Sequence, residues 1–119
     1  MDITKTRGEA SITLGSRAFK LRPTFTALER IEESLGIGIL DLCARLRRLD
    51  FRFKDLSYIA YHFALEGAGP GERVDRQEIG RLLMEDGLEQ MMVYAVELVK
   101  VLNSALSAGS KEAGAASPN

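Results

Sequence analysis

The chain has 119 residues, of which 45% are hydrophobic and 28% charged, and its formal net charge is −1. This balance is typical of one globular domain and excludes a chain that is disordered throughout. The near-neutral charge gives no general attraction to nucleic acid or to an anionic membrane, and no apolar run approaches the ~20 residues that span a bilayer. The N-terminus shows no signal-peptide pattern, and a single cysteine favours a reducing, cytoplasmic setting.

The first predicted element is a β-hairpin over residues 12–21. Apolar and polar residues alternate on both sides of the Gly15-Ser16 dipeptide, as they do in two short strands joined by a tight turn. Pro23 ends the second strand because it cannot donate a ladder hydrogen bond. Residues 1–8 carry little apolar content and are predicted to form a flexible leader.

The first helix is predicted to begin at Thr24 or Thr26 and to end at Gly36, a residue suited to a left-handed helix stop. Thr26 and Glu29 have the spacing of a capping box. An apolar face at helical spacing follows, formed by Phe25, Leu28, Ile31 and Leu35.

Carboxylates cluster on this helix at Glu29, Glu32 and Glu33. Paired carboxylates can serve acid–base or metal chemistry, but both tasks recruit further ligands, which this sequence does not place nearby. We therefore expect a structural role in which Glu32 is partly buried and paired with Arg17 or Arg22. With only one histidine in the chain, we predict a protein that is not an enzyme and has no cofactor or metal.

A second helix is predicted from about residue 39 to 49, a third from 56 to 66, and a fourth that opens with a cap at Asp75 and runs to Met84. Cys43 lies on the apolar face of the second helix, which favours a buried thiol over a nucleophile.

The third helix is apolar on two sides, which is typical of a central helix. His62 lies between those sides, so a hydrogen-bonded packing residue is favoured over a functional one.

The last helix is predicted over residues 88–108, with apolar residues on more than half of its circumference. Two interpretations stay open: deep insertion between the other helices, or partial use as a partner surface. Residues 109–119 are small and polar and are predicted to be disordered. The predicted fold is mainly α (α+β), with an N-terminal β-hairpin followed by about five helices in one compact domain, residues 9–108.

Two regions are candidates for protein binding. The densest charge lies in residues 45–54, where a solvated helix end, a docking patch for an acidic partner and a nucleic-acid interface compete; the near-neutral chain disfavours the last. Met84, Met91 and Met92 lie near one end of the last helix, and flexible thioethers suit varied apolar partners, with core packing as the alternative. The predicted protein-binding residues are Arg45, Arg48, Arg52, Met84, Met91, Met92, Tyr94, Leu98 and Val101.

The sequence also resembles the small tail protein encoded by gene transfer agents and tailed phages of alphaproteobacterial type. Members of that family share a leucine-glycine, a short strand and an LRPTF opening, followed by a helix, a glycine and an apolar helix. These pieces are here Leu14-Gly15, Phe19 to Leu21, Arg22-Pro23-Thr24-Phe25, Ala27-Leu28, Ile31-Glu32, Gly36 and Leu40 to Leu46. Lys54-Asp55-Leu56 and the glycine-rich residues 66–69 resemble the second half of the family, so the resemblance covers about residues 9–106.

The resemblance implies a role in building a phage-like tail. Such proteins have been labelled both as tail tube proteins and as tail assembly chaperones. A chaperone holds the helical tape-measure protein in solution and delivers tube subunits around it, whereas a tube subunit polymerises through β-sheets into a ring. Because only about ten residues have a strand pattern, we expect the chaperone role.

The partners expected for a chaperone are the tape-measure protein and the major tail protein. Neither nucleic acid nor a membrane is expected as a partner. Self-association into a homo-oligomer is left open. The location implied is the cytoplasm of the bacterial host cell, or the assembled particle for a structural component. A structural tail (tube) component is the alternative function, and an unrelated helical protein-binding module is a further one.

Overall fold

The computed structural model describes residues 10–116, with side chains described for residues 10–107. Its elements in chain order are β1 (Ala10–Leu14), β2 (Arg17–Leu21), α1 (Phe25–Leu35), α2 (Ile39–Arg47), α3 (Phe53–Gly67), α4 (Arg76–Glu85) and α5 (Leu88–Ala116). The predicted fold class is confirmed, because an antiparallel hairpin precedes five helices in one compact domain. The predicted leader lies outside the described residues. The helix α5 runs past its predicted end at residue 108, and the disorder of residues 109–119 stays a prediction.

The hairpin presents one apolar face to the helices. Its antiparallel register pairs Ile12 with Phe19, and the alternation of side chains places Leu14 and Leu21 on the same face. All four of these side chains are buried. Gly15 has a φ of 61° in the turn, a left-handed conformation that glycine adopts without steric cost. The period-two pattern in the sequence therefore fixes which side of the hairpin faces the core.

The helix α3 is the centre of the domain and packs against β2, α1, α4 and α5. Its buried apolar side chains have the spacing of one helical face, namely Leu56, Ile59, Ala60, Phe63 and Ala64. The second predicted apolar side is not buried: Tyr58 and Tyr61 are half-buried and Leu65 is exposed. At its C-terminal end, a Cβ on Gly67 would overlap the carbonyl oxygen of Lys20. The absence of a side chain there lets the helix end approach the backbone of β2.

The cap of α1 is Thr24, one of the two predicted candidates. Its hydroxyl accepts a hydrogen bond from the backbone N–H of Ala27 at 3.1 Å and donates one to Glu66 at 3.0 Å. The predicted capping box at Thr26 is wrong, because Thr26 already lies in the first turn of the helix. The Thr24 cap also connects the start of α1 to the end of α3.

The structure corrects the role predicted for Glu32. This residue is exposed rather than partly buried. Its carboxylate accepts the backbone N–H of Ile39 at 2.9 Å, which satisfies one of the free donors at the start of α2. Arg17, one of its two predicted partners, instead donates to Glu78 at 2.6 Å and to the carbonyl oxygen of Arg73 at 2.6 Å. Arg17 thereby links the hairpin to the start of α4.

The observed starts of α4 and α3 can be compared with the predicted ones. Asp75 caps α4 as predicted and accepts the backbone N–H of Glu78 at 3.0 Å. The helix α3 begins at Phe53, earlier than the predicted start at Leu56. Phe51 packs against the core, whereas Phe53 is 40% exposed, so one of the two phenyl rings anchors this connection.

The helix α5 packs against β1, α2, α3 and α4 along one face. The buried side chains of that face are Tyr94, Ala95, Leu98, Val101 and Leu102. Leu88, Val93 and Val96 are exposed. The helix is therefore inserted into the domain on one side and leaves an apolar surface on another. Within the described part of the chain, no helix combines the length and the hydrophobicity that a bilayer span requires.

Candidate protein-binding surfaces

The arginine-rich segment joins the end of α2 to the start of α3. Arg48 is exposed, and its guanidinium lies 3.6 Å from the carboxylate of Asp50, a surface contact of the kind that contributes little to stability. Arg45 is half-buried. Arg47 donates a hydrogen bond to the amide oxygen of Asn103 at 3.3 Å, so its side chain points along α5. The segment thus places one cation, Arg47, beside α5.

Arg52 has an intramolecular role. Its backbone N–H donates to Asp55 at 2.7 Å, and its guanidinium donates to the same carboxylate from Nε at 3.1 Å and from Nη2 at 2.7 Å. These hydrogen bonds, together with the attraction of the carboxylate, raise the pKa of Arg52. Asp55 is fully buried, and removing its partner would leave a buried charge unpaired. Arg52 therefore stabilises the start of α3, while 51% of its side-chain surface remains accessible to a partner.

Three of the residues predicted to bind a partner lie in the core, namely Tyr94, Leu98 and Val101. The hydroxyl of Tyr94 accepts the backbone N–H of Gly15 at 3.0 Å and so ties the hairpin turn to α5. These three side chains stabilise the domain, and a partner cannot contact them in this conformation.

The three methionines do not form one surface. Met84, at the end of α4, is exposed, whereas Met91 and Met92 are half-buried and Met91 packs against the core. The nine predicted residues are thus divided between the core, the start of α3 and separate exposed positions. Partner binding by the exposed members stays a prediction.

The apolar surface of α5 lies instead on residues that the sequence analysis did not select. Leu88 is 72% exposed, and Val93 and Val96 are about half exposed. Beside Val96 a cavity of about 180 Å³ opens between α2 and α5, lined by Leu46, Arg47, Leu49, Ala95, Val96, Val99 and Lys100. Helical periodicity predicts that α5 has two apolar sides, but it does not reveal which side the other helices cover.

A second groove, of about 360 Å³, lies between α1 and α3 beside His62. The Nε2 atom of His62 is hydrogen-bonded to the hydroxyl of Ser34 at 3.0 Å, and its ring stacks on Tyr58. Burial lowers the pKa of His62, and the positive charge of Arg30 lowers it further, so the neutral imidazole is favoured. Within the described residues, no carboxylate is hydrogen-bonded to this ring to complete a catalytic triad. The contact joins α1 to α3, as expected for a packing histidine.

The described residues contain neither an evident metal site nor an evident reactive thiol. Its His, Cys, Asp and Glu side chains form no group of three or more that could hold a metal ion. Cys43 is buried, and burial raises the pKa of its thiol despite the opposing effect of Arg47. A raised pKa disfavours the nucleophilic thiolate.

Residues 7–108 match the model of one protein family, described as "Phage tail tube protein, GTA-gp10". The chain belongs to this phage tail protein family. The matched region includes the hairpin, α1 to α4 and most of α5, and it confirms the resemblance to the small tail proteins of gene transfer agents and phages. Comparison with curated proteins and with solved structures gives no match.

Membership of the phage tail tube protein family makes the chain a tail component of the gene transfer agent type. The family description fits the structural role, which the sequence analysis kept as its alternative, better than it fits the chaperone role. It names no tape-measure protein and no chaperone activity. The choice between these roles therefore depends on what the fold can do physically.

Proposed function

We propose that this protein works at the tail tube of a phage-like gene transfer agent, as a non-enzymatic component that binds other tail proteins. The observation that carries this proposal is the family match over residues 7–108, which covers nearly the whole described domain. The exposed apolar side chains of α5 and the basic end of α2 support it, because such surfaces suit contact with another protein.

The family description favours a structural role in which the protein stays in the particle as part of the tube. Such a subunit needs stable contacts, and a standard interface covers about 800 Å² on each partner. Large hydrophobic side chains on several elements are available for these contacts, namely Leu40, Leu49, Met84, Leu88, Val93 and Val96. The location that this role implies is the assembled particle.

One observation favours a second role, that of a tail assembly chaperone that binds the tape-measure protein. Among the described residues the sheet consists of two strands of five residues each. A sheet continues through the free backbone groups of its edge strands, and two strands of five residues offer only short edges to continue into a ring. An exposed apolar helix surface suits binding of a helical partner instead. This role implies the host cytoplasm, with the tape-measure protein and the major tail protein as partners.

Retention in purified particles separates the two roles. A tube component is expected in purified particles at a constant ratio to the major tail protein when peptides are quantified by mass spectrometry. A chaperone is expected in the lysate but not in the particles, and it should copurify with co-expressed tape-measure fragments at micromolar concentration.

Deletion of the gene tests the proposal that both roles share. Either role predicts that cells without the protein produce heads but few complete tails, visible by electron microscopy. Tails of normal number and length in the deletion strain would contradict any role at the tail tube. Expression of the full chain in trans is the control, and it should restore complete particles.

A further inference from the structure

An exposed row on α5 carries two valines between opposite charges. Glu89, Val93, Val96 and Lys100 are spaced by four, three and four residues, which is the spacing of one seam along a helix. All four side chains are exposed, and the valines are 49% and 47% accessible. Over this row the helix rises about 16 Å. The row is therefore a narrow apolar contact with a negative end and a positive end.

We propose that this row is a homodimer interface in which α5 packs antiparallel against α5 of a second copy. One register satisfies the whole row: when Val93 faces Val96 of the second copy, Glu89 faces Lys100 of the second copy. Both contacts are centred on the same point of the helix, between residues 94 and 95. A two-fold axis through that point repeats each contact, which is the self-complementarity that a symmetric dimer requires.

The charges also select the direction of the two helices. A parallel pairing in the same seam would place Glu89 against Glu89 and Lys100 against Lys100, and like charges in contact oppose association. The antiparallel pairing places opposite charges together at both ends. Lys100 already lies 3.8 Å from the carboxylate of Glu97. Both side chains are exposed, and such a contact is too weak to prevent Lys100 from pairing with Glu89 of the second copy.

The neighbouring surface extends the same complementarity. At the lysine end, Arg47 is the last residue of α2 and Leu49 follows it in the turn, where it is 57% exposed. At the glutamate end, the exposed residues are Glu85, Asp86 and Leu88. The antiparallel register brings this acidic and apolar end towards the basic and apolar end of the second copy. A standard interface would cover about a tenth of the 6976 Å² surface of the protein, which leaves the remaining faces free.

The dimer is tested by sedimentation equilibrium of the full chain from micromolar to submillimolar concentration. We expect a mass that rises towards twice the 13.1 kDa of one chain. Val96→Glu should weaken association at least about tenfold, because it places two like charges at the centre of the contact. Phe25→Glu is the matched control, since Phe25 is an exposed apolar residue on α1 and should leave the dimer unchanged. Circular dichroism checks that both variants keep the fold.

A charge exchange tests the register. Glu89→Lys and Lys100→Glu should each weaken the dimer several-fold, roughly what two exposed ion pairs contribute, and the double exchange should restore it. A monomer at every concentration, or a dimer that Val96→Glu leaves intact, would overturn the proposal. A double variant no stronger than the single variants would overturn the antiparallel register. The inference does not rest on the tail role, but a second copy seated on the two valines of the row would leave other tail proteins the exposed residues elsewhere, such as Leu40 and Met84.

Discussion

The β-hairpin and α5 both carry a regular apolar pattern, but the domain covers the first completely and the second only in part. Leu14 and Phe19 represent the hairpin face, which is fully buried against the helices. On α5, Leu98 is buried while Val93 and Val96 are exposed. A strand has one apolar face and needs one neighbour, whereas a helix that is apolar on two sides needs neighbours on both. The hairpin is therefore scaffold, and α5 is both scaffold and surface.

The largest expected effect on stability is at the buried face of the hairpin. Phe19→Ala removes a fully buried ring and should lower the free energy of unfolding by about 4 kcal/mol, through lost burial and the cavity left behind. Phe25→Ala removes the same group from an exposed position and should change it by less than about 0.5 kcal/mol. Urea unfolding followed by circular dichroism measures both. Equal losses of unfolding free energy in the two variants would show that Phe19 is not buried.

The next test concerns the close approach of α3 to the hairpin. Gly67→Ala adds a methyl group that would overlap the carbonyl oxygen of Lys20, so the helix end and the strand must separate. We expect a loss of about 2 kcal/mol in the free energy of unfolding. Gly69→Ala is the matched control, because a Cβ there meets no atom within 4 Å. A Gly67→Ala variant as stable as this control would contradict the close contact.

A smaller effect is expected where the two regions meet. Tyr94→Phe removes the hydroxyl that accepts the Gly15 N–H and should cost about 1 kcal/mol in the free energy of unfolding. Hydrogen exchange should show faster opening of the hairpin turn in the variant, while the helices α1 and α3 keep their protection. Tyr61→Phe serves as the control, since it removes the same hydroxyl from a half-buried tyrosine on α3. Unchanged exchange at Gly15 would rule out the connection between turn and helix.

The smallest expected effect is a pH dependence of stability at the α1–α3 contact. Burial lowers the pKa of His62 in the folded protein, so the unfolded chain binds the proton more readily. His62 therefore contributes stability above its ordinary pKa of about 6.5, and this contribution is lost as the pH falls below that value. Urea midpoints at pH 7.5 and at pH 5.5 should differ more in the wild type than in His62→Gln. A wild-type difference no larger than that of the variant would contradict a lowered pKa.

Several local features of the fold could be predicted because short-range physics determines them. The alternation over residues 12–21 specifies the hairpin, and the Asp75 cap and the left-handed stop at Gly36 follow from residue type and spacing. The choice between Thr24 and Thr26 as the cap of α1 could not be made this way. Both can accept the hydrogen bond, and only Thr24 is also placed to donate to Glu66 at the end of α3.

Helical periodicity did not predict which side of α5 forms the exposed surface. The sequence indicates that α5 has more apolar residues than one neighbour can cover, but Tyr94, Leu98 and Val101 turn inward and Val93 and Val96 outward. Which side is covered depends on where α2, α3 and α4 pack, and those positions are set by contacts between residues far apart in the chain.

The sequence alone therefore determined the hairpin and the number of helices, because these follow from local patterns along the chain. The family was identified by comparison of sequences, without the structure. The tertiary structure decided that Glu32 caps α2, that Asp55 is fully buried, and which residues of α5 remain exposed. Each of these depends on which groups the packed helices bring within a few ångströms of one another. Local propensity sets what each segment can form, and long-range packing sets which of its side chains a partner can contact.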